Sequence, residues 1–349
     1  MANKITIADV AAMAAVSEAT VSRVLNGTAG VAADKRDRVL AAAKTLRFRP
    51  NAQARLLAGR RPNTLLLIHP MIDSPLTWYF QLLESGALRG CGRHGFDLKT
   101  HLVFPDSARR DANLLKPIDD ETCSGVILAA PFSDDPKIIR AIAARNMPLV
   151  LVASGAPTRG LAAGIGMDDD RAGYELARHL LSLGHRRFAF SLALPDHLSA
   201  QERFDGARRA LAEQGVSEGD VLAVEGGLNF AGGHAAFGHI NNTGFRPTAL
   251  ICANDESAAG ALHAAHQAGL RLPDDLSIAG FDDAPFARLL SPPLTTISQD
   301  IDAMAARAID ILADVIKGIA HPYQMTRPRL VVRQSTHHPH EKLMVFPSQ

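Results

Sequence analysis

The sequence is poor in residues that would crosslink the chain or carry it through a membrane. Its 349 residues include 3 cysteines, Cys91, Cys123 and Cys252, which lie far apart without CxxC spacing. This pattern favours buried thiols over a disulfide framework or a zinc site. No apolar run reaches the roughly 18 residues that a membrane span requires, and the opening residues MANKITIADV lack the apolar core of a signal peptide. We therefore expect a cytoplasmic protein without a membrane partner.

Motifs of the common enzyme classes are also missing. The sequence has no GxSxG, Walker A or HExxH motif, and the glycines of GGLNFAGGH have the wrong spacing for a dinucleotide site. The paired carboxylates Asp282 and Asp283 have no His or Cys at a spacing suited to a metal site. The histidines at 337, 338 and 340 are typical of a solvated terminus. We predict that the chain is not an enzyme and uses no cofactor or metal.

The near-neutral net charge of +1 conceals an uneven distribution of charged residues. Residues 1–62 contain 11 Lys and Arg against 4 Asp and Glu, a net charge of +7, which leaves 26 basic and 32 acidic residues, or −6, in the remainder. A basic N-terminal part on an acidic body is typical of a protein whose first residues contact nucleic-acid phosphates. Its affinity for such a partner should depend strongly on salt.

The basic N-terminal part begins with two short helical patterns joined by a tight turn. Thr6 can cap a helix over residues 6–14, and Ser17 can cap a second helix whose Val21 and Val24 point inward. A third helix, residues 33–46, closes the small core with Val39, Leu40, Ala43 and Leu46. The outward residues of the second helix are Glu18, Ala19, Ser22, Arg23 and Asn26. The pattern fits a DNA-reading helix-turn-helix, with a purely structural helical hairpin as the alternative.

The exact residues of this region are more informative about the protein family than their helical periodicity is. DVAAMAAVSEATVSRVLNG, followed by VAADKRDRVLAAAKTLRFRPNAQARLLAGRR, resembles the N-terminus of the LacI/GalR family of bacterial transcription regulators. At an operator, Arg23 would bind guanine, Glu18 would accept from cytosine and Ala19 would touch a thymine methyl group. The resemblance implies phosphate contacts from Thr6, Ser17, Thr20 and Asn26, with Ser22 on the same face. It also implies a hinge helix that forms only on DNA and pairs with its twin from the second subunit in the minor groove. There Leu57 would wedge between base pairs, Ala54 would allow the close approach of the two helices, and Asn51 is a further DNA-binding residue.

From residue 63 the pattern changes to short apolar runs that alternate with helical stretches. We predict strands at 64–69, 125–130, 148–153, 187–194, 247–253 and 276–281. We predict helices at 76–94, 136–146, 170–183, 200–214, 254–268 and 300–317. Such alternation predicts parallel sheets covered by helices on both faces, and about 270 residues favour two doubly wound lobes. The family resemblance implies the same architecture, similar to a periplasmic sugar-binding protein.

The predicted organisation is therefore a small all-α helix-turn-helix head followed by an α/β body. The expected domains are a head at 1–49, a hinge at 50–62, an effector-binding and dimerisation body at 63–336 and a tail at 337–349. The first lobe is expected at 63–162 plus 294–320, and the second at 163–293 plus 321–336. The tail has no heptad repeat, so we expect a homodimer rather than a coiled-coil tetramer.

Polar and aromatic residues that follow the apolar runs are candidate ligand contacts, because ligands of open α/β sheets bind beyond the carboxyl ends of the strands. The phrases ANDESAAGAL and LPDDLSIAGFDD also resemble the family. On these grounds the predicted effector-binding residues are Ser74, Trp78, Arg203, Phe230, Asn254 and Asp282. Asp255 is expected to cap the helix that follows Asn254. Ala153 and Leu228 depart from the polar and aromatic residues of sugar-responsive members, so no particular sugar is carried over.

Together these patterns predict a dimeric, sequence-specific regulator, in particular a repressor, that binds a palindromic operator in double-stranded DNA. Its operator affinity would respond to a small-molecule effector between the lobes, a carbohydrate on the family pattern. A nucleobase or nucleoside is the alternative ligand. Proteins of other classes that remain open at this point are a sugar-binding or sugar-processing protein without a regulatory role, and a nucleoid-like architectural protein.

Overall fold

The computed structural model describes residues 6–25, 30–46, 62–71, 78–194 and 197–339. The chain divides into two compact units, Met1–Pro62 and Asn63–Gln349, which we call the head and the body. Among the described residues, no helix combines the length and the apolar character needed to cross a bilayer. The predictions for the hinge segment and for five single residues lie outside the described residues: Asn26, Asn51, Ala54, Leu57 and Ser74.

The described part of the head contains three helices, α1 (Ile7–Ala14), α2 (Glu18–Leu25) and α3 (Ala33–Thr45). The first begins as its sequence predicts, because Thr6 and Asp9 form a capping box. The Thr6 amide donates to Asp9 Oδ2 at 2.7 Å, and the Asp9 amide donates to Thr6 Oγ1 at 3.4 Å. Ser17 accepts from the Thr20 amide through its hydroxyl at 3.2 Å. Ala15, at φ +50°, turns the chain between α1 and α2.

Small side chains close the core of the head. The buried residues are Val10, Ala11, Ala14, Val21, Val24, Val39 and Ala42. Leu40, which we predicted to be in this core, is 49% exposed. The inward face of α3 is set by residues 39, 42, 43 and 46, which lie three to four residues apart, and Leu40 falls beside that face. A core built from alanines and valines brings short helices close together, which leaves little room for a further leucine.

The body consists of two six-stranded sheets covered by helices. The strands are β1 Thr64–Pro70, β2 Asp97–Val103, β3 Gly125–Ala129, β4 Leu149–Val152, β5 Ala163–Met167, β6 Phe188–Leu192, β7 Val221–Glu225, β8 Ala249–Cys252, β9 Ser277–Asp282, β10 Thr295–Ser298, β11 Tyr323–Thr326 and β12 Arg329–Val331. The helices are α4 Trp78–His94, α5 Arg110–Asp119, α6 Pro136–Ala143, α7 Asp169–Ser182, α8 Leu198–Glu213, α9 Phe230–Asn242, α10 Asp255–Gln267 and α11 Ile301–Ile316.

Each sheet forms the centre of one lobe. The first sheet has the order β11-β5-β4-β3-β1-β2 and is parallel throughout. The second has the order β12-β10-β9-β8-β6-β7, in which β12 alone runs antiparallel to its neighbour. Buried runs such as Leu65 to Ile68 fill the space between sheet and helices. The two doubly wound lobes predicted from the alternation of strands and helices are present.

The chain crosses between the lobes at three points, and the strands that flank these points correct the predicted lobe boundaries. β5, which we predicted in the second lobe, pairs with β4 in the first sheet. β10, which we predicted in the first lobe, pairs with β9 in the second sheet, and β11 returns to the first. The segment AGIGM of β5 is short and glycine-rich, so its apolar pattern is too weak to show a strand. The lobe to which β5 belongs is set by its pairing with β4 and β11 in the first sheet.

Candidate functional sites

The second helix of the head presents the residues predicted to read DNA. Glu18, Ala19 and Arg23 are exposed, whereas Thr20 and Ser22 are partly buried. Ser17 and Thr20 share a hydrogen bond between their hydroxyls at 2.9 Å, at the start of the same helix. Charged and small side chains at one helix end, next to hydroxyls and free amides, match what a recognition helix offers to base edges and phosphates.

The body contains a cavity of about 610 Å³ at the carboxyl ends of both sheets. From the first lobe it is lined by residues that follow β1 to β4, and from the second by residues that end or follow β6 to β10. The lining residues are Pro70, Trp78, Tyr79, Phe80, Pro105, Asp106, Ala130, Pro131, Ala153, Leu194, His197, Ser199, Arg203, Glu225, Gly226, Gly227, Leu228, Asn229, Gly232, Ala235, Asn254, Glu256, Asp282 and Gln299. Its place agrees with the position of ligands in open α/β sheets.

The structure brings four of the predicted effector residues together at this cavity: Trp78, Arg203, Asn254 and Asp282. Phe230, which we predicted beside them, is not part of the lining. Its ring lies 5.6 Å from that of His263 on α10 and is 37% exposed. The reason is that Asn229 caps α9 and Phe230 is the first residue of that helix, which directs its side chain towards the neighbouring helix.

Arg203 stands at the centre of a buried ionic network. Its Nε donates to Asp169 Oδ1 at 2.7 Å, one terminal nitrogen donates to the Ala253 carbonyl at 3.1 Å, and the same nitrogen lies 3.7 Å from Asp282 Oδ1. The guanidinium also lies over the ring of Phe281, 5.0 Å from its centroid. Asp282 accepts a further hydrogen bond from the side chain of Gln299. These contacts fix the guanidinium and both carboxylates without a ligand.

The network contains two carboxylates, Asp169 and Asp282, and one cation, Arg203. The pKa values of all three groups differ from their ordinary values. Burial raises the pKa of Asp282 to about 7, against the opposing influence of Arg203 and Gln299. Burial also raises the pKa of Asp169, although Arg203 pairs with it. Burial alone would lower the pKa of Arg203, but Asp169 and Asp282 outweigh this effect and the pKa is raised. The guanidinium therefore stays charged while Asp282 can take up a proton near neutral pH.

Asn254 lies at the cavity as predicted, but it also takes the capping role that we predicted for Asp255. Asn254 is the N-cap of α10 and forms a capping box with Ser257, while its Nδ2 donates to the Leu228 carbonyl at 2.9 Å. Asp255, which we predicted as the cap, accepts instead from Thr296 Oγ1 at 2.6 Å and from the Ala284 amide at 2.8 Å. Asn254 thus reaches the cavity as part of the turn that joins β8 to α10.

Aromatic side chains form the opposite wall of the cavity. Trp78 is 9% exposed and packs edge-on against Tyr79 and Phe286, at 6.0 Å between centroids in both cases. Phe80 stacks on His69 at 4.4 Å. Trp78 is therefore both a core residue and a lining residue. Trp78, Tyr79 and Phe80 thus line the cavity from the first lobe, and Arg203 and Asp282 line it from the second.

Several cavity residues were not predicted from the sequence. Glu225 ends β7, an edge strand with the half-exposed pattern VLAVE, which carries little periodic signal. Gln299 follows β10, and Asp169, which is not itself a lining residue but pairs with Arg203, follows β5; neither strand was predicted. The rule that ligands bind beyond strand ends would have pointed to all three once those strands were recognised. Ser199 and His197 lie at the start of α8, one turn before Arg203, and a helical projection from Arg203 would have found Ser199.

Comparison with known sequences and structures places both units in one family. Residues 6–51 match the profile of bacterial regulatory proteins of the lacI family, and residues 177–336 match a periplasmic binding protein-like domain. The transcriptional regulator MalR of Streptomyces coelicolor is 36% identical over 95% of this chain and 96% of its own length. DegA of Bacillus subtilis is 32% identical over 95% of this chain and 98% of its own length.

Solved structures agree with these sequence matches. The Lac repressor dimer bound to operator and the anti-inducer ONPF superimposes with a TM-score of 0.83 at 27% identity, covering 96% of this chain and all of that one. A complex of the transcriptional regulator CelR with cellobiose gives a TM-score of 0.72 at 26% identity, covering 95% and 99%. The relatives are transcription regulators rather than enzymes. The chain belongs to the LacI family of DNA-binding transcription regulators.

Proposed function

We propose that this regulator is a repressor whose operator affinity is controlled by an uncharged sugar or sugar derivative bound in the cavity of the body. The observation that carries the proposal is that Arg203, which Asp169 holds, and Asp282 line the same cavity of about 610 Å³ as the aromatic side chains of Trp78, Tyr79 and Phe80. A sugar has hydroxyls that hydrogen-bond to such a network and apolar ring faces that stack on aromatic side chains. The volume lies within the range of small-molecule sites.

The charge of the lining supports an uncharged ligand. Among the described residues, four carboxylate residues line the cavity: Asp106, Glu225, Glu256 and Asp282. Within the same part of the chain, Arg203 is the one arginine of the lining, and it already bonds to Asp169. A phosphate or carboxylate group would meet a surplus of negative charge there, whereas hydroxyl groups could donate to it. The CelR complex with cellobiose provides an example of a related regulator with a neutral sugar.

At the operator, we propose that Arg23, Glu18 and Ala19 read bases in the major groove. Thr6, Ser17, Thr20, Ser22 and Asn26 would hold the neighbouring backbone, and Asn51, Ala54 and Leu57 would act in the minor groove. A homodimer would present two heads to a palindromic site. The effector changes operator affinity only if it binds one arrangement of the lobes better than another. The protein would act in the bacterial cytoplasm.

A thermal-shift screen of the full chain tests the effector proposal. The probes are maltose, cellobiose, glucose 6-phosphate, hypoxanthine and guanosine, because a ligand of the folded state raises the melting temperature. We expect a shift with an uncharged sugar, none with glucose 6-phosphate, and loss of the shift in Asp282→Asn but not in the control Asp220→Asn, at a partly exposed residue outside the cavity lining. A shift with guanosine or hypoxanthine alone would replace the sugar by a nucleobase ligand. No shift with any probe would overturn the proposed effector class.

Operator binding has its own test. Selection of binding sites from random duplexes should return a palindrome, as expected for two heads related by dimer symmetry. Sequences without symmetry, or no enrichment, would favour an architectural DNA-binding role and contradict the regulator proposal. The responsive sugar should then change the measured affinity for the selected palindrome in a gel-shift titration.

A further inference from the structure

The helix that carries Arg203 has no side-chain cap of its own. Several other helices of the body are capped by the side chain of the residue that precedes them, as Asp168 caps α7 and Asn229 caps α9, whereas α5 and α11 lack such a cap, as α8 does. At α8 the side chain of the N-cap residue, His197, makes no capping hydrogen bond to the helix. The amide of Leu198 donates instead to Asp134 Oδ2 at 3.3 Å. The helix of one lobe thus receives its cap from the other lobe, because Asp134 follows β3 of the first sheet.

Asp134 binds both lobes at once. Its Oδ1 accepts from the Gly155 amide at 2.7 Å, in the loop that follows β4 of the first lobe. The two lobes approach so closely here that a Cβ on Gly155 would overlap the Cβ of Leu198. This contact therefore requires a residue without a side chain at position 155. Burial raises the pKa of Asp134 to about 6, against the opposing influence of these two amides.

A second contact between the lobes lies one turn further along α8. Glu202 accepts from the Ala156 amide through Oε1 and from the guanidinium of Arg159 through Oε2, both at 2.6 Å. The two side chains are 18% and 15% exposed. Such a pair is better shielded from water than a surface ion pair, so its attraction is less screened.

The first lobe holds Arg159 firmly in place for this contact. Its Nε donates to the Ser154 carbonyl at 3.0 Å, and its guanidinium lies over the ring of Tyr323, 5.6 Å from the centroid. The Tyr323 hydroxyl in turn accepts from the Ser154 amide at 3.0 Å. Because β11 and the loop after β4 both position it, Arg159 presents a fixed partner to the helix of the second lobe.

We propose that Asp134 and the loop 154–159 of the first lobe, together with Leu198 and Glu202 of the second, form an interlobe clasp that positions α8 and thereby Arg203. Leu198 and Glu202 lie four residues apart on one face of α8, and Ser199 and Arg203 lie next to them on the face that lines the cavity. Separation of the lobes removes the cap of α8 and the partner of Arg159 in one step. The clasp consequently favours the arrangement in which the cavity is assembled.

The influence of the clasp on the effector response rests on the proposed function, but its existence does not. Hydrogen exchange of the full chain, read by mass spectrometry on peptides that cover 153–160 and 194–203, tests it without effector or DNA. If the two contacts form and break together, loss of either one should speed hydrogen exchange at the backbone amides bound by the other. These amides are Leu198 for the Asp134 contact and Ala156 for the Glu202 contact. In Asp134→Ala, the Ala156 amide, separated from that of Gly155 by fragmentation of the peptide to single residues, should exchange on the order of tenfold faster, and in Arg159→Met the Leu198 amide should do so as well.

Arg159→Met retains much of the apolar volume and is expected to fold. If Asp134→Ala does not fold, Asp134→Asn, which retains the shape of the carboxyl group, replaces it. Peptides from α11 should exchange as in the wild type in every variant. The matched control is Glu213→Ala, which removes a carboxylate at the far end of α8 that accepts from Tyr174 within the second lobe. If Asp134→Ala and Arg159→Met each affect only their own donors, or if Glu213→Ala has the same effect, the clasp is overturned. A chain without a sugar response would still show the exchange pattern.

Discussion

The charged residues around Arg203 bind one another in the interior of the body. Arg203 donates hydrogen bonds to Asp169 and to the Ala253 carbonyl. Asp282 pairs with Arg203 and accepts a hydrogen bond from Gln299. A buried guanidinium between carboxylates is costly to interrupt, because removal of one partner leaves the others uncompensated. The same network therefore contributes to folding and shapes the cavity.

Replacement of Arg203 should test the cost of this network. In Arg203→Met, Asp169 and Asp282 lose their counter-charge, so we expect a loss of about 3–5 kcal/mol in the free energy of unfolding. Urea unfolding followed by fluorescence of Trp78, the single tryptophan of the chain, measures it. Arg208→Met on the same helix is the control, because that side chain is 54% exposed, and its loss should stay within about 0.5 kcal/mol. Equal losses in both variants would contradict the role of the network.

Base reading by Arg23 should be separable from phosphate binding. We expect Arg23→Ala to weaken binding to the selected palindrome by about 1–3 kcal/mol while scrambled DNA is affected little. Arg36→Ala, on another exposed arginine of the head, should weaken both duplexes alike. Gel-shift titrations on the two duplexes measure the difference. Equal losses for Arg23→Ala on cognate and scrambled DNA would refute its assignment.

His185 should make the stability of the body depend on pH. It is 1% exposed, its Nδ1 lies 2.9 Å from Thr248 Oγ1 and its Nε2 lies 2.9 Å from the His337 carbonyl. Burial lowers the pKa of His185 to about 4. Since an unfolded histidine titrates near about 6.5, the unfolded chain binds the extra proton below that pH. The stabilisation by neutral His185 is therefore present near pH 7 and is lost progressively as the pH falls towards 4.

The measurement is the free energy of unfolding at pH 7 and pH 5 in wild type and in His185→Gln. Because glutamine does not titrate, the difference between the two proteins should shrink by about 2 kcal/mol over this interval. His239→Gln, at an exposed position of α9, serves as the control and should leave the pH dependence unchanged. A constant difference between wild type and His185→Gln would show that His185 does not titrate in this way.

At the scale of elements, glycines determine how closely the helices of the body approach. A Cβ on Gly206 of α8 would overlap the carbonyl of Asp170, and one on Gly173 of α7 would overlap the carbonyl of Arg203. The two helices therefore cross with backbone against backbone. This close crossing sets the distance between Asp169, at the start of α7, and Arg203, in the middle of α8.

A single methyl group at this crossing should be strongly destabilising. We expect Gly206→Ala to lower the free energy of unfolding by about 3 kcal/mol or more, although alanine is the better helix former. Gly238→Ala in α9 is the matched control, since its Cβ would meet no atom within 4 Å. That variant should gain about 0.5–1 kcal/mol from helix propensity alone. A neutral Gly206→Ala in urea unfolding would show that the helices can move apart.

At the scale of the whole molecule, charge is separated along the chain. The head and hinge, residues 1–62, carry a net charge of +7, and the rest carries −6. Attraction to phosphates is thus confined to one end, and the acidic remainder avoids competing contacts with DNA.

Salt should therefore reduce operator affinity steeply. If the two heads of a dimer together make six or more phosphate contacts, the affinity should fall on the order of a thousandfold between 50 and 200 mM salt. Fluorescence anisotropy with a labelled palindrome at several salt concentrations gives the slope. The sugar that shifts the melting temperature should keep its affinity over the same range, because an uncharged ligand displaces no counterions. A flat salt dependence of operator binding would contradict phosphate-dominated affinity.

The sequence alone determined the head, the alternation of strands and helices, and the family. The signals are local: the capping box of Thr6 and Asp9, the apolar spacing of short helices and the buried runs of central strands are all set by neighbours along the chain. Trp78, Arg203, Asn254 and Asp282 could be selected because strand ends mark ligand sites in this fold class.

Only the tertiary structure decided which lobe each crossing strand joins, because β5, β10 and β11 are short and take their place from strands that are remote in sequence. It also decided that Phe230 turns towards His263 and that Asp169 pairs with Arg203. These outcomes depend on non-local packing and pairing, which leave no periodic trace in the sequence.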